Sequence, residues 1–158
     1  MNKLHRSLVH LLQAALIASI YATLTLAFAP LSYGQVQVRF AEALTVLPAL
    51  TPVAVPGLAV GCLIANILGP GGPVDIVFGT LATLAAAYLS SKIHTKWLVP
   101  LPPVVVNAVV VGFILNYIYQ LPLLVSMGWV AIGQLIACYG LGYPLLLVLA
   151  RYKEKVFN

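Results

Sequence analysis

Four stretches of this chain, residues 7–38, 43–74, 76–91 and 97–150, contain no charged residue. Backbone N–H and C=O groups cannot be left unpaired in hydrocarbon, so long apolar runs of this kind fold as membrane helices, which close their hydrogen bonds internally. Hydrophobic residues make up 62% of the sequence and charged residues 7%, against roughly 45–50% and about 25% in soluble domains. The chain therefore reads as an all-α integral membrane protein, with residues 1–158 forming a single domain. The net charge of +5 does not point to nucleic acid, because the basic residues form short clusters between apolar runs. That pattern reports orientation in the bilayer.

Spans are expected at about 8–29, 73–91, 98–119 and 126–150, bounded by turn residues or charge such as Pro30, the GPGGP run at 69–73, Lys92, Lys96 and Arg151. The N-terminal stretch ends in Ala27-Phe28-Ala29, which imitates a signal-peptidase site. Its apolar run is nevertheless longer than the ~7–15 residues of a signal h-region, so it is expected to remain as the first helix.

Residues 40–68 are harder to divide. They carry no charge after Glu42 and place prolines at 48, 52 and 56, one per helical turn. Each proline removes a backbone donor and clashes with the preceding turn, so no smooth helix runs through. One kinked span or two short ones fit locally, and charge decides between them. Six spans put Lys3, Arg6, Lys92, Lys96, Arg151, Lys153 and Lys155, seven of the eight basic residues, on one side. Five spans would move the later clusters outside, against the positive-inside rule. The expectation is six transmembrane helices with both termini cytoplasmic. The second and third, of about 13–15 residues, would reach only ~20–23 Å. Short helices beside a polar cavity are one way to build a binding site within a membrane.

This topology gathers polar residues in the outer half. Arg39 and Glu42 enter the second helix and Asp75 the fourth, near Asn66 and Asn116, with Tyr117, Gln120, Trp129 and Gln134 at similar depth. Ionisable groups at membrane depth are functional candidates. Plainer roles exist for each: Arg39 and Glu42 could pair at i, i+3, Asp75 suits a helix N-terminus, and the aromatics suit an interfacial belt. The alternating segment from Gln35 through Gln37 to Phe40 reads as an extended lid at the outer mouth. On helix one, Ala14, Ala18 and Ala22 recur every fourth residue, beside a second small row of Ala15, Ser19 and Thr23. Such faces let helices approach closely, either within the protein or against a membrane partner.

Catalysis finds little support. The histidines at 5, 10 and 94 lie on the cytoplasmic side, away from Glu42 and Asp75, and no phosphate loop of the GxxxxGK type occurs. Cys62 and Cys138 stand in apolar runs without CxxC or Cys/His spacing, and read as packing residues. No metal or other cofactor is expected.

The stretch GQVQVRFAEALTVLP (34–48), the AxxxAxxxA row of helix one and NILGPGGPVDIVFGT (66–80) together resemble a known family over essentially the whole chain. This is the queuosine-precursor (QueT-type) S component of energy-coupling factor (ECF) transporters. The resemblance implies a six-helix, multi-pass binding protein of the prokaryotic plasma membrane. It would capture a 7-deazaguanine, such as 7-aminomethyl-7-deazaguanine, its nitrile precursor or queuine, at the outer face under a lid between helices one and two. It further implies docking through the alanine face onto a membrane-embedded coupling subunit driven by two cytoplasmic ATPases. A guanine-type edge offers adjacent donors that a carboxylate accepts as a pair, and an aminomethyl group is cationic. Glu42 and Asp75 are thus expected to take those roles, with Arg39 fixing Glu42 and Gln37 in the lid. Asn66 and Asn116 would read the ring's acceptors, and Trp129 or a tyrosine would stack on it. A self-sufficient small permease or channel is the alternative, with Gln13 and Asn107 as its few inner-half polar residues, and a membrane-embedded enzyme is a third reading.

Overall fold

The computed structural model describes residues 3–34 and 36–152. Gln35 of the expected lid and Lys153 and Lys155 of the C-terminal basic cluster lie outside the described residues, as does the side chain of Lys3.

Among these residues the chain is helical, with no strand. Four helices are long and apolar enough to cross a bilayer: α1 (Lys3–Ala27), α4 (Gly72–Ser91), α5 (Lys96–Tyr119) and α6 (Leu123–Arg151). Two shorter apolar helices, α2 (Phe40–Ala49) and α3 (Ala54–Leu68), fill the stretch that carries the prolines. Pro52 lies in the turn between them, and Pro48 and Pro56 lie within α2 and α3.

α2 is wound as a 3₁₀ helix over all of its 10 residues, where runs beyond 3–4 residues are uncommon. Its rise of ~2.0 Å per residue carries those residues ~20 Å, about 5 Å more than an α-helix of equal length. The expected reach is therefore met with fewer residues than the expected 13–15. α4 and α6 each contain a π-helical stretch, at Asp75–Gly79 and Leu135–Gly142. Wide turns of this kind frequently accompany functional sites.

The helices alternate in direction. Gly57 on α3 lies against Ala14 of α1, and Gly61, one turn later, against Ala18, so α1 and α3 run the same way. A Cβ on Gly61 would come within 2.7 Å of the Ala18 carbonyl oxygen and 2.9 Å of its Cα, so the absent side chain is what allows this approach. α2 returns between them and packs against α1, α3, α4 and α6. Its residues Ala41, Glu42, Ala43 and Thr45 through Pro48 are all buried. One core joins Ile17 and Tyr21 of α1, Ala41 and Leu47 of α2, and Leu58 and Cys62 of α3. A second, at the far end of α2, joins Val46 to Val99 and Leu146. The outward surface is apolar, with Leu12, Leu16, Phe78, Phe113 and Leu124 exposed, as lipid contact requires.

Of the two roles expected for the alanine row, its burial fits packing within the protein. Ala18 and Ala22 are buried, at 4% and 7% exposure, and Ala14 is half-buried. Ala14 and Ala18 meet Gly57 and Gly61 of α3, so the row is turned into the protein. The physical reason is complementarity: an AxxxA ridge meets a GxxxG groove, and close backbone contact replaces lipid contact. The outward row is Ala15, Ser19 and Thr23, all exposed.

Candidate functional site

The polar residues converge at two levels, an outer one beside the connection that precedes α2 and an inner one deeper between the helices. At the outer level, Arg39 precedes α2 in extended conformation (φ −86°, ψ 103°). Its side chain therefore does not share a helix face with Glu42. It reaches across to α4, where Nη2 donates to Asp75 Oδ2 at 3.1 Å, while Nε donates to the Ser32 carbonyl at 3.1 Å. Its guanidinium carbon lies 5.0 Å from the centre of the Tyr33 ring, an arrangement in which the ring face attracts the cation. The direct ion pair of Arg39 is thus with Asp75 and not with Glu42 on a shared helix face.

The Asp75 carboxylate sits between Gly71 and Gly79, where a side chain on either glycine would collide with it. Asn66, at the end of α3, donates through Nδ2 to the Asp75 backbone carbonyl at 3.0 Å and to Thr80 Oγ1 at 3.5 Å. These bonds fix its amide orientation and point Oδ1 away from them. Asn66 Oδ1 and Asp75 Oδ1 are both buried without a hydrogen-bond partner.

At the inner level stands Glu42. Its Oε1 accepts from the Tyr21 hydroxyl of α1 at 2.5 Å, and its Oε2 is buried and unpartnered. Thr45 Oγ1 donates to the Glu42 carbonyl at 2.5 Å, and Cys138 Sγ of α6 approaches the same oxygen at 3.7 Å. The buried amide of Asn107 on α5 lies alongside the carboxylate, and Gln134 is buried one turn before Cys138, whose thiol it accepts at 3.4 Å. Tyr21 is six residues before the end of α1, ~9 Å along its axis. Glu42 therefore lies deeper than the outer boundary where the sequence suggested it.

Gln37 is buried, with φ of 48°, and lines a narrow cleft with Tyr33, Asp75 and Tyr119. The cleft measures about 20 Å³, room for about one water molecule. The loop above it is clamped: the carbonyls of Val36 and Gln37 press on Gly133 of α6, where a Cβ would strike them. Residues 36–39 are extended or bent without strand partners.

Two expected site residues lie elsewhere. Asn116 donates to the Leu121 carbonyl and closes the α5–α6 turn. Trp129 is 46% exposed on the outward face of α6. Conversely, Tyr21 belongs to the site and carried no expectation, and Asn107, read as an inner-half polar residue, stands beside Glu42. Depth along antiparallel helices was the cue: counted from the outer ends, Asn107 and Gln134 fall at matching heights.

Nothing in this arrangement resembles a nucleophile–base pair, and among the described residues no group of metal ligands occurs. What it can do is bind: several buried acceptors lack donors, inside a ring of helices closed by a loop. A family model described as "QueT transporter" matches residues 11–151. No curated protein and no solved structure matches the chain.

Proposed function

The chain belongs to the QueT transporter family, and from that premise we propose that it is the substrate-binding S component of an ECF-type importer for a queuosine precursor, a 7-deazaguanine. As a transporter with several apolar helices it is a multi-pass membrane protein. The further reading has six crossings with cytoplasmic termini. It is supported by the alternating helix directions and by the basic residues Arg6, Lys92, Lys96 and Arg151, which fall at the end opposite Arg39 and Asp75.

One observation carries the choice of ligand. Glu42 Oε2, Asp75 Oδ1 and Asn66 Oδ1 are buried acceptors without donors. Such groups are costly unless a partner arrives, and a 7-deazaguanine is rich in N–H donors. The segment 33–39 serves as the lid and must lift, because the cleft is too small for a bicyclic base.

Uptake then requires a coupling membrane subunit and two cytoplasmic ATPases. Docking would use the outward small row of α1, Ala15, Ser19 and Thr23, because the Ala18 row is already packed against α3. Calorimetry on the purified chain tests the ligand, using 7-aminomethyl-7-deazaguanine, its nitrile precursor, queuine, guanine and unrelated vitamins. Selective binding of a deazaguanine is expected. Selective binding of a vitamin would discard the substrate, and transport by the purified chain alone would discard the ATPase partnership.

A further inference from the structure

We infer that Glu42 selects for charge: it receives a primary ammonium on the ligand's side arm, while Asp75 and Asn66 read the ring edge at the outer level. This rests on the 7-deazaguanine reading and adds what that reading leaves open, the charge the pocket requires and the acid that meets it.

The two carboxylates are not equivalent. Asp75 is already matched by Arg39 at 3.1 Å, with both side chains almost fully buried. Glu42 has no such partner, since among the described residues the only ion pair is Arg39–Asp75. Tyr21, which donates to the Glu42 carboxylate, and Asn107, buried close to it, are neutral. The nearest cation, Arg39, is bonded to Asp75 and acts on Glu42 only from beyond ion-pair distance. Tyr21 orients the carboxylate without supplying a positive charge. Thr45 and Cys138 address its backbone carbonyl instead.

A carboxylate withdrawn from water carries a large desolvation penalty unless a counter-charge with an N–H accompanies it. The occupant that best satisfies Oε2 therefore brings both. An alkylammonium does so, and its charge-assisted bond is stronger than a neutral one. A nitrile at the same position offers neither donor nor charge, and would leave the buried acceptor unpaired.

The outer level has the opposite character. Asp75 Oδ1 belongs to an acid whose charge is balanced, and Asn66 Oδ1 to a neutral amide whose orientation is fixed. Both present acceptors without demanding charge, which suits the adjacent N–H and NH2 of a neutral guanine-type edge. Assigning the ring edge to Glu42 instead would leave the acid that lacks a direct ion pair facing a neutral group.

The test compares three ligands sharing one ring: 7-aminomethyl-7-deazaguanine, its N-acetyl derivative and the nitrile. Binding to the wild-type protein and to Glu42→Gln is measured by calorimetry. The wild type is expected to prefer the amine at least tenfold over both neutral analogues, and Glu42→Gln to erase that preference chiefly by weakening the amine. Equal wild-type affinity for amine and nitrile would overturn the inference and leave the deazaguanine reading intact. So would an equal loss for all three ligands in Glu42→Gln. Binding of none of the three to the wild type would overturn that reading itself, and this inference with it. Should Glu42→Gln fail to fold, the wild-type comparison of amine with N-acetyl amine decides the matter alone.

Discussion

Arg39 donates to Asp75 Oδ2 and to the Ser32 carbonyl, each at 3.1 Å, so one guanidinium ties the entry of α2 to the first turn of α4 and to the short helix Ala29–Ser32 that follows α1. Asp75 lines the cleft together with Gln37 and Tyr33. The pair thus fixes one wall of that cleft.

Removing one partner of a buried pair strands the other charge, which costs about 3–5 kcal/mol. Arg39→Met and Asp75→Asn are each expected to lower the unfolding midpoint in detergent markedly, and the double variant by less than the sum of the two. Arg39→Lys should not restore the wild type, because an ammonium cannot make both bonds from one planar fork. Additive losses in the double-mutant cycle would show that the pair is not coupled.

Ala18→Leu and Gly61→Leu should each destabilise the protein by about 1–3 kcal/mol through overpacking, or more, since the two backbones already touch. Ser19→Leu lies on the outward row and should leave thermal stability and ligand binding unchanged while reducing uptake in cells. Uptake unaffected by Ser19→Leu would remove that row from the docking surface.

Tyr21→Phe deletes the hydroxyl that donates to Glu42 Oε1 and weakens the satisfaction of a buried acceptor, at a cost of about 1–3 kcal/mol. Stability by denaturation and affinity by calorimetry should both fall. A variant indistinguishable from wild type in both would mean the bond is not maintained in solution.

Gly133→Ala puts a methyl group against the carbonyls of Val36 and Gln37. Backbone cannot yield as a flexible side chain can, so the lid should be held partly open. The expected signature in stopped-flow measurements is faster ligand dissociation with little change in association. Unchanged dissociation would show that the loop does not close over the ligand.

Trp97 and Trp129 are 57% and 46% exposed, and neither touches the site. Intrinsic fluorescence should therefore respond weakly to ligand and strongly to brominated lipids. Trp129→Ala should change ligand affinity less than threefold, and a larger loss would return Trp129 to the site.

The long helices were legible because each is an uncharged run ended by a turn or a basic residue, as at the GPGGP stretch and Lys92. The break between α2 and α3 was legible from Pro48, Pro52 and Pro56. The 3₁₀ winding of α2 was not, since no periodic pattern distinguishes it in so apolar a segment. The site was half legible. Arg39, Glu42, Asp75, Asn66 and Gln37 stood out as polar residues in apolar surroundings, but their partners depended on the chain direction at Arg39. An extended residue points elsewhere than a helical one, and this sent Arg39 to Asp75. Tyr21 stayed hidden because a tyrosine in a span reads as an ordinary aromatic, and the inward turn of the alanine row depended on Gly57 and Gly61, whose significance appears only once α1 and α3 lie side by side.

The contact between α1 and α3 also has a mechanical side. With backbone on backbone at Gly57 and Gly61, neither helix can slide or roll without the other, so the two behave as a single stiff plank. That plank carries Tyr21 on one member and Asn66 on the other, while Arg39, Glu42 and Asp75 ride on α2, α4 and their connections. The candidate site residues are thus divided between that pair and the helices packed against it, so a push on the lipid side of α1 reaches Tyr21 and, through its bond, Glu42.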